Sequence, residues 1–283
     1  MKLSVETNII SKRFGEYKAI ELIKQAGFDG IDYTFFDCEE RLGDNYIEYA
    51  KELRKHLDNV GIECVQAHAP SYALKYSPDY DISMQEYLWM VHSVETAAIL
   101  GAKSIVVHSI SVPKGVDFKE YNLRFYKNLI PYCEKFGIYL AVENMYEKGV
   151  KRRCMKSKLG SPEELNGMIE KINSPRAVAC IDIGHAAVTG YEPEDFIDGV
   201  KNEYIKTLHI HDNDYIGDCH YLPYEGEFNW NEIIKALKRA GYNGDMSLEI
   251  TTFFNNFPKE LTPDALKLAA KVGRHLISLY HNC

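Results

Sequence analysis

Ligand-type residues recur in this chain directly after short apolar runs. His68 ends VQAH, His108 ends IVVH and Glu143 ends LAVE. Asp182 ends CID, with His185 three residues on, and His209-Ile210-His211 follows IKTL. Glu249 ends MSLE, and the segment DCHYLP adds Asp218 and His220. Any one of these alone reads as a hydrogen-bonded histidine or a helix-capping carboxylate. Six successive runs ending in this way are not explained by capping. If the runs are neighbouring strands, their charges meet at one place, where burial is costly unless they are paired or bind metal. A divalent metal is the economical reading. Mixed imidazole and carboxylate donors suit Zn, Mn, Co or Fe, whereas all-oxygen donors would suit Mg or Ca. His209 and His211 are two apart, so on a strand both face one side. The one nearer the strand end, His211, is expected at the metal, and His209 one layer deeper, supporting or filling the core.

The elements that must position these residues are legible from punctuation. Amphipathic stretches end in Gly27, Gly61, Gly101, Gly137 and Gly241, and each is followed by a short run rich in Val and Ile. Glycine suits the left-handed position just past a helix. The runs read as strands buried on both faces, as in a parallel sheet. Ser161-Pro162-Glu163-Glu164 and Thr262-Pro263-Asp264 read as helix starts, with a hydroxyl cap and a proline in the first turn. Strands are expected near 2–5, 28–33, 62–67, 104–108, 138–143, 177–182, 205–211 and 245–250. Helices are expected near 16–26, 44–60, 82–100, 118–136, 162–172, 193–200, 229–240 and 263–280. Eight βα units predict an α/β fold, a single (β/α)₈ TIM barrel over residues 1–283, whose active site lies at the C-terminal strand ends. A doubly wound sheet is the competitor, but no GxGxxG follows the first strand.

Composition excludes several classes. The chain has 283 residues, with 46% hydrophobic and 26% charged, in the range of a globular protein. The formal net charge is −8, which argues against a nucleic-acid or anionic-membrane binder. No apolar run reaches the ~18 residues of a membrane span, and the first residues lack the pattern of a signal peptide. The seven cysteines include no CxxC pair, and reduced thiols in a cytoplasm are expected.

At these residues the sequence resembles the xylose isomerase-like TIM-barrel superfamily of sugar phosphate isomerases and epimerases, which also holds the endonuclease IV group of AP endonucleases. The shared motifs are VEN at 142–144, the Asp-x-x-His of CIDIGHA at 180–186, HIHDND at 209–214, GEF-x-W at 226–230 and SLE at 247–249. The resemblance to the epimerase branch implies that Glu143, Asp182, His211 and Glu249 hold one divalent metal, zinc or manganese, with cobalt or magnesium as alternatives. It implies that Glu143 and Glu249 are the acid–base pair and that His185, with His68 and His108 nearby, contacts a small-molecule sugar substrate. A homo-oligomer is compatible with it. The arginine that follows the strand-seven motif in ketose 3-epimerases is missing here, where Asp212-Asn213-Asp214-Tyr215 stands, which leaves the sugar open.

The resemblance to endonuclease IV implies something else. His68, His108, His185, Asp218 and His220 would be additional metal ligands of a multi-zinc phosphodiesterase. The net charge and the strand-seven and strand-eight motifs favour the isomerase. A subunit of a glycoside-processing complex and a non-catalytic carbohydrate sensor are the other readings; retention of both glutamates favours catalysis. Two loop features also stand out. The segment 148–158 carries six basic residues and no acid, which suits either a solvated loop or docking of a phosphate or carboxylate. Aromatic residues Tyr33, Phe35, Phe36, Tyr72, Tyr76, Phe253, Phe254 and Phe257 fall near the expected mouth, as packing or as a wall against the sugar.

Overall fold

The computed structural model describes residues 1–35, 41–70, 75–78, 85–147 and 156–283. Eight parallel strands form the barrel: β1 (Leu3–Glu6), β2 (Gly30–Thr34), β3 (Glu63–His68), β4 (Ser104–Val107), β5 (Tyr139–Glu143), β8 (Ala177–Asp182), β9 (Ile205–His209) and β10 (Met246–Leu248). Their order is β10-β1-β2-β3-β4-β5-β8-β9. The ring closes through the parallel bridge between Ile210 and Leu248, where the Glu249 N–H donates to the Ile210 carbonyl at 3.0 Å. This is the α/β TIM barrel that the alternation of elements predicts.

Helices wrap the ring: α1 (Asn8–Phe14), α2 (Glu16–Ala26), α3 (Tyr46–Val60), α4 (Gln85–Leu100), α5 (Phe118–Phe136), α6 (Pro162–Ile172), α7 (Ile183–Val188), α8 (Pro193–Gly199), α9 (Trp230–Arg239), α10 (Thr251–Asn255) and α11 (Thr262–Asn282). Among the described residues no helix is long and apolar enough to cross a membrane. Gly27, Gly61 and Gly137 take the left-handed conformation that ends α2, α3 and α5. Ser161 caps α6 by accepting from the Glu164 N–H at 3.2 Å. Thr262 does not cap α11; it lies within the helix and its hydroxyl accepts from Arg13 at 2.6 Å.

The alternation of side chains along the strands explains the site. Outward residues such as Leu3, Val5, Ile31, Ile105, Leu140 and Val142 join the buried apolar layer under the helices. Residues of the opposite parity fill the barrel, and many are polar. Thr207 donates to Ser104 at 3.0 Å, and Gln66 and Ser247 both donate to Asp32 Oδ2, at 2.7 and 3.3 Å. The next inward residue on each strand stands at the C-terminal mouth: Glu6, Thr34, His68, His108, Glu143, Asp182, His209 and Glu249. A period of two thus delivers one side chain per strand to one place.

Three differences from the expected elements matter there. The strand expected over 205–211 ends at His209. An antiparallel pair, β6 (Met145–Glu147) and β7 (Lys156–Lys158), rises beside the mouth. Helices α1, α7 and α10 begin within three residues of β1, β8 and β10. Residues 148–155, which hold most of the basic segment, and Phe36 and Tyr72 lie outside the described residues.

Candidate metal centre

The strand ends bring the ligand-type residues together in groups. Donor atoms of Glu143, Asp182, His209 and Glu249 lie within 4.8 Å of one another. His209 Nδ1 is 3.4 Å from Glu143 Oε1, 3.2 Å from Glu249 Oε2 and 3.8 Å from Asp182 Oδ2. For bonds of about 2.1 Å in a tetrahedral site, donors stand about 3.4 Å apart. The three distances from His209 bracket that spacing. A second group joins His68, His108 and Glu143, with His108 Nε2 2.9 Å and His68 Nε2 3.8 Å from Glu143 Oε2. A third joins His185, Asp218 and His220, both histidines placing Nε2 near Asp218 Oδ2, at 3.4 and 3.1 Å.

The two histidines of HIHDND, of which His211 is the one expected at the metal, fall into different candidate groups. His209, fully buried, joins Glu143, Asp182 and Glu249. His211 Nε2 reaches both oxygens of Asp182, at 3.1 Å from Oδ1 and 3.2 Å from Oδ2. It belongs to a separate grouping with His220 and Glu249, and its ring stacks on His220. The reason is the strand length. His209, not His211, is paired in register with Asp182, so His209 shares the level of the carboxylates. Behind it, His209 Nε2 faces Asp32 Oδ2 at 3.5 Å. A carboxylate behind a ligating imidazole fixes its orientation and raises its basicity.

Buried polar atoms without hydrogen-bond partners test whether a cation fits. Both carboxylate oxygens of Glu143, both ring nitrogens of His209, Asp218 Oδ1 and Glu249 Oε2 are of this kind. Such groups are rare in proteins, and a bound ion is one of the few explanations. Electrostatics agree. Burial opposes a charge on His185, yet Asp182 and Asp218 raise its pKa well above the usual value. His209 is raised in the same way by its neighbours, Cys180, Glu249 and Glu143. These carboxylates draw in positive charge, and a divalent ion would supply it. His68 is pushed the other way, down to about 3, by burial and by His108 and His209, so it stays a neutral donor.

The neighbouring motif residues hold this arrangement. Asn144 pins the end of β5 to β8: its amide donates to the Asp182 carbonyl at 2.9 Å, and its oxygen accepts the Asp182 N–H at 2.7 Å. Asp212, fully buried, accepts from the backbone N–H groups of Tyr224 and Phe228 and from Trp230 Nε1, at 2.9, 3.2 and 2.8 Å. That links HIHDND to GEF-x-W and fixes the loop carrying Asp218 and His220. Gly184 and Gly226 are required by close approach, because a Cβ at either would overlap His211 or Asp212.

The groups open into a cavity of about 280 Å³, lined by His68, His108, Glu143, His185, Asp218, His220 and Glu249. Every site residue read from the sequence lines it except Asp182 and His211, which are buried beneath. Sequence reasoning missed Glu6 and Thr34, which also line it, and Asp32. Thr34 donates to Glu6 at 2.6 Å, and burial pushes the Glu6 carboxyl up to about 7. Glu6 ends LSVE just as Glu249 ends MSLE, so the same signal marked it, one residue beyond the expected strand. The aromatic residues divide. Tyr33, Phe35, Phe253 and Phe254 are buried in the core, so they form no wall to this cavity.

Comparison with known proteins bears on the whole chain. The model of the xylose isomerase-like TIM barrel matches residues 20–272. An uncharacterized protein of Methanocaldococcus jannaschii, MJ1311, is 29% identical over 248 residues, covering 82% of this chain and 78% of that one. Fructoselysine 3-epimerase of Shigella flexneri is 26% identical over 141 residues, about half of each chain (49% and 48%). A probable endonuclease 4 of Mycoplasma mobile is 27% identical over 178 residues, 59% of this chain and 58% of that one. The solved structure of a D-tagatose 3-epimerase-like protein superposes with a TM-score of 0.75 at 23% identity, over 100% of this chain and 99% of that one, a likeness of fold. The chain belongs to the xylose isomerase-like TIM-barrel family.

Proposed function

We propose that this chain is a divalent-metal-dependent isomerase or epimerase acting on a small sugar or related polyol carbonyl. The observation that carries the reading is the convergence of two buried glutamates on one point. Glu143 and Glu249 both face His209 Nδ1, at 3.4 and 3.2 Å, at the floor of one cavity. Their environments differ in the way an acid–base pair requires. Burial alone would raise Glu143, but His108 and His209 hold its carboxyl well below the usual carboxylate range. Burial pushes Glu249 up to about 8, against the pull of His209 and His220.

Glu143, Asp182, His209 and Glu249 would hold the metal, zinc or manganese by the donor types. When bound, a divalent ion polarises a carbonyl and makes the adjacent C–H more acidic. The chain's own groups do the rest. One glutamate takes the proton from the carbon beside the carbonyl, and the other returns it. Return on the opposite face of that carbon inverts it; return to the carbonyl carbon, with a proton passing from the neighbouring hydroxyl oxygen to the carbonyl oxygen, isomerises the sugar. His211 and the His185 N–H, which donates to Asp182 Oδ1 at 2.6 Å, hold Asp182 in place. His185, His108 and Glu6 are set to bind substrate hydroxyls. The cavity volume is near the low end of small-ligand pockets and suits a monosaccharide more than a polymer. The test is deuterium uptake from solvent at the carbon beside the carbonyl across a panel of ketoses and aldoses. Uptake by the wild type and none by Glu249→Gln is expected; equal uptake by both removes the proposed pair.

A second reading rests on the presence of several overlapping donor groups, of which the isomerase needs one. Two or three metals would suit phosphate ester cleavage. The charge of −8 weighs against a DNA substrate. Cleavage of abasic-site DNA with no deuterium uptake by any sugar would move this reading ahead.

A further inference from the structure

A second chamber of about 250 Å³ adjoins the first. The two share Ala69 and His108, so the imidazole of His108 stands at the boundary. Their chemistry differs sharply. The first chamber is walled by carboxylates: Glu6, Glu143, Asp218 and Glu249. The second has no carboxylate among its described lining residues and presents Lys75, Tyr76, Ser109 and Ser111. The Ser109 hydroxyl is shielded from solvent and has no hydrogen-bond partner. Behind Ser111, Lys158 of β7 donates to its hydroxyl at 2.8 Å, which leaves the Ser111 proton free to point elsewhere.

We infer that the second chamber is an anion subsite, taking the phosphate or carboxylate at the far end of a sugar whose carbonyl end lies against Glu143 and Glu249. The Lys75 ammonium and the Ser111 hydroxyl, whose proton Lys158 leaves free to donate, face a chamber with no carboxylate among its described lining residues. Charge-assisted hydrogen bonds from such donors are short and strong. The arrangement also orients the substrate. With the anionic end held at Lys75 and Ser111, the rest of the substrate extends past His108 toward Glu143 and Glu249. The inference rests on the sugar reading above for what fills the first chamber, but the subsite itself does not depend on it.

The experiment is calorimetric binding to the protein as purified. Probes are D-fructose, D-fructose 6-phosphate, D-fructuronate and inorganic phosphate. Each is tested on the wild type and on the double variant Lys75→Gln/Lys158→Gln, whose substitutions lie outside the catalytic groups. In the wild type, at least one anionic sugar binds tenfold or more tightly than fructose, and its identity separates phosphate from carboxylate. In the variant that advantage is lost, with fructose unchanged. Ser111→Ala weakens the same probe by severalfold. Anionic probes that bind no better than fructose, or that bind the variant within twofold of the wild type, overturn the inference. If no sugar binds but phosphate does, and loses tenfold in the variant, the subsite stands and the sugar reading falls. If phosphate also fails to bind, the subsite falls.

Discussion

Replacing Asp32 by asparagine removes one negative charge from beneath His209 while leaving a side chain of the same shape. Asp32 is fully buried, with Oδ2 3.5 Å from His209 Nε2 and also accepting from Gln66 and Ser247. The asparagine oxygen can still accept from Gln66 and Ser247, so the barrel interior keeps its hydrogen bonds. What changes is His209. Its Nε2 loses the carboxylate that favours a proton there, and Nδ1 becomes a weaker ligand for a metal held with Glu143, Asp182 and Glu249. Loss of such a supporting partner costs 10–100-fold in metal affinity in general, or about 1.4–2.7 kcal/mol. The assay is competition with a chromogenic chelator for zinc, alongside urea unfolding of both proteins with metal chelated. Metal affinity should fall by tenfold or more. An affinity within twofold of the wild type, in a variant that folds normally, would refute the argument that Asp32 orients a ligating His209.

Other outcomes follow from the same geometry. Glu249→Gln should abolish turnover while leaving the thermal midpoint close to that of the wild type, read by deuterium uptake and calorimetry. Asp212→Ala strands three buried donors and should cost at least about 3 kcal/mol at 1–3 kcal/mol per group, measured by urea unfolding with tryptophan fluorescence. Glu6 supplies a pH test. Its folded pKa of about 7 lies above the ordinary 4.5, so its contribution is intact below the unfolded pKa and is lost as pH rises through 7. Between pH 5 and 8 the wild type should lose about 2 kcal/mol relative to Glu6→Gln, and a constant difference between the two would remove the buried-acid assignment.

Much of the site is legible in the sequence because one rule generates it. Each parallel strand ends in a residue facing the mouth, so His68, His108, Glu143, Asp182 and Glu249 declare themselves by following apolar runs. The same rule does not separate His209 from His211. Both have inward parity, and the choice between them turns on where β9 stops pairing. That depends on its register with β8 and on the bridge to Leu248, which no local pattern encodes. Helix α7 follows Asp182 directly, so a single residue serves as strand end, helix cap and member of the candidate donor group, accepting from the His185 N–H. The pair β6–β7 has three residues per strand, too few for a period to register. Asp32 escapes notice because it lies within a strand rather than at its end. Asp212 looks like one more ligand in HIHDND, yet its carboxylate is spent on the loop that returns through Trp230.

The central claim is that Glu143, Asp182, His209 and Glu249 form the metal centre at the barrel mouth. Elemental analysis of protein purified without added metal tests it most directly, on the wild type, His209→Gln and His211→Gln. The account predicts at least one zinc or manganese per wild-type chain, loss of at least one equivalent in His209→Gln, and a His211→Gln protein that keeps it with weaker affinity. A wild-type chain without transition metal, or a His209→Gln protein that keeps its full complement while His211→Gln loses it, would contradict the account.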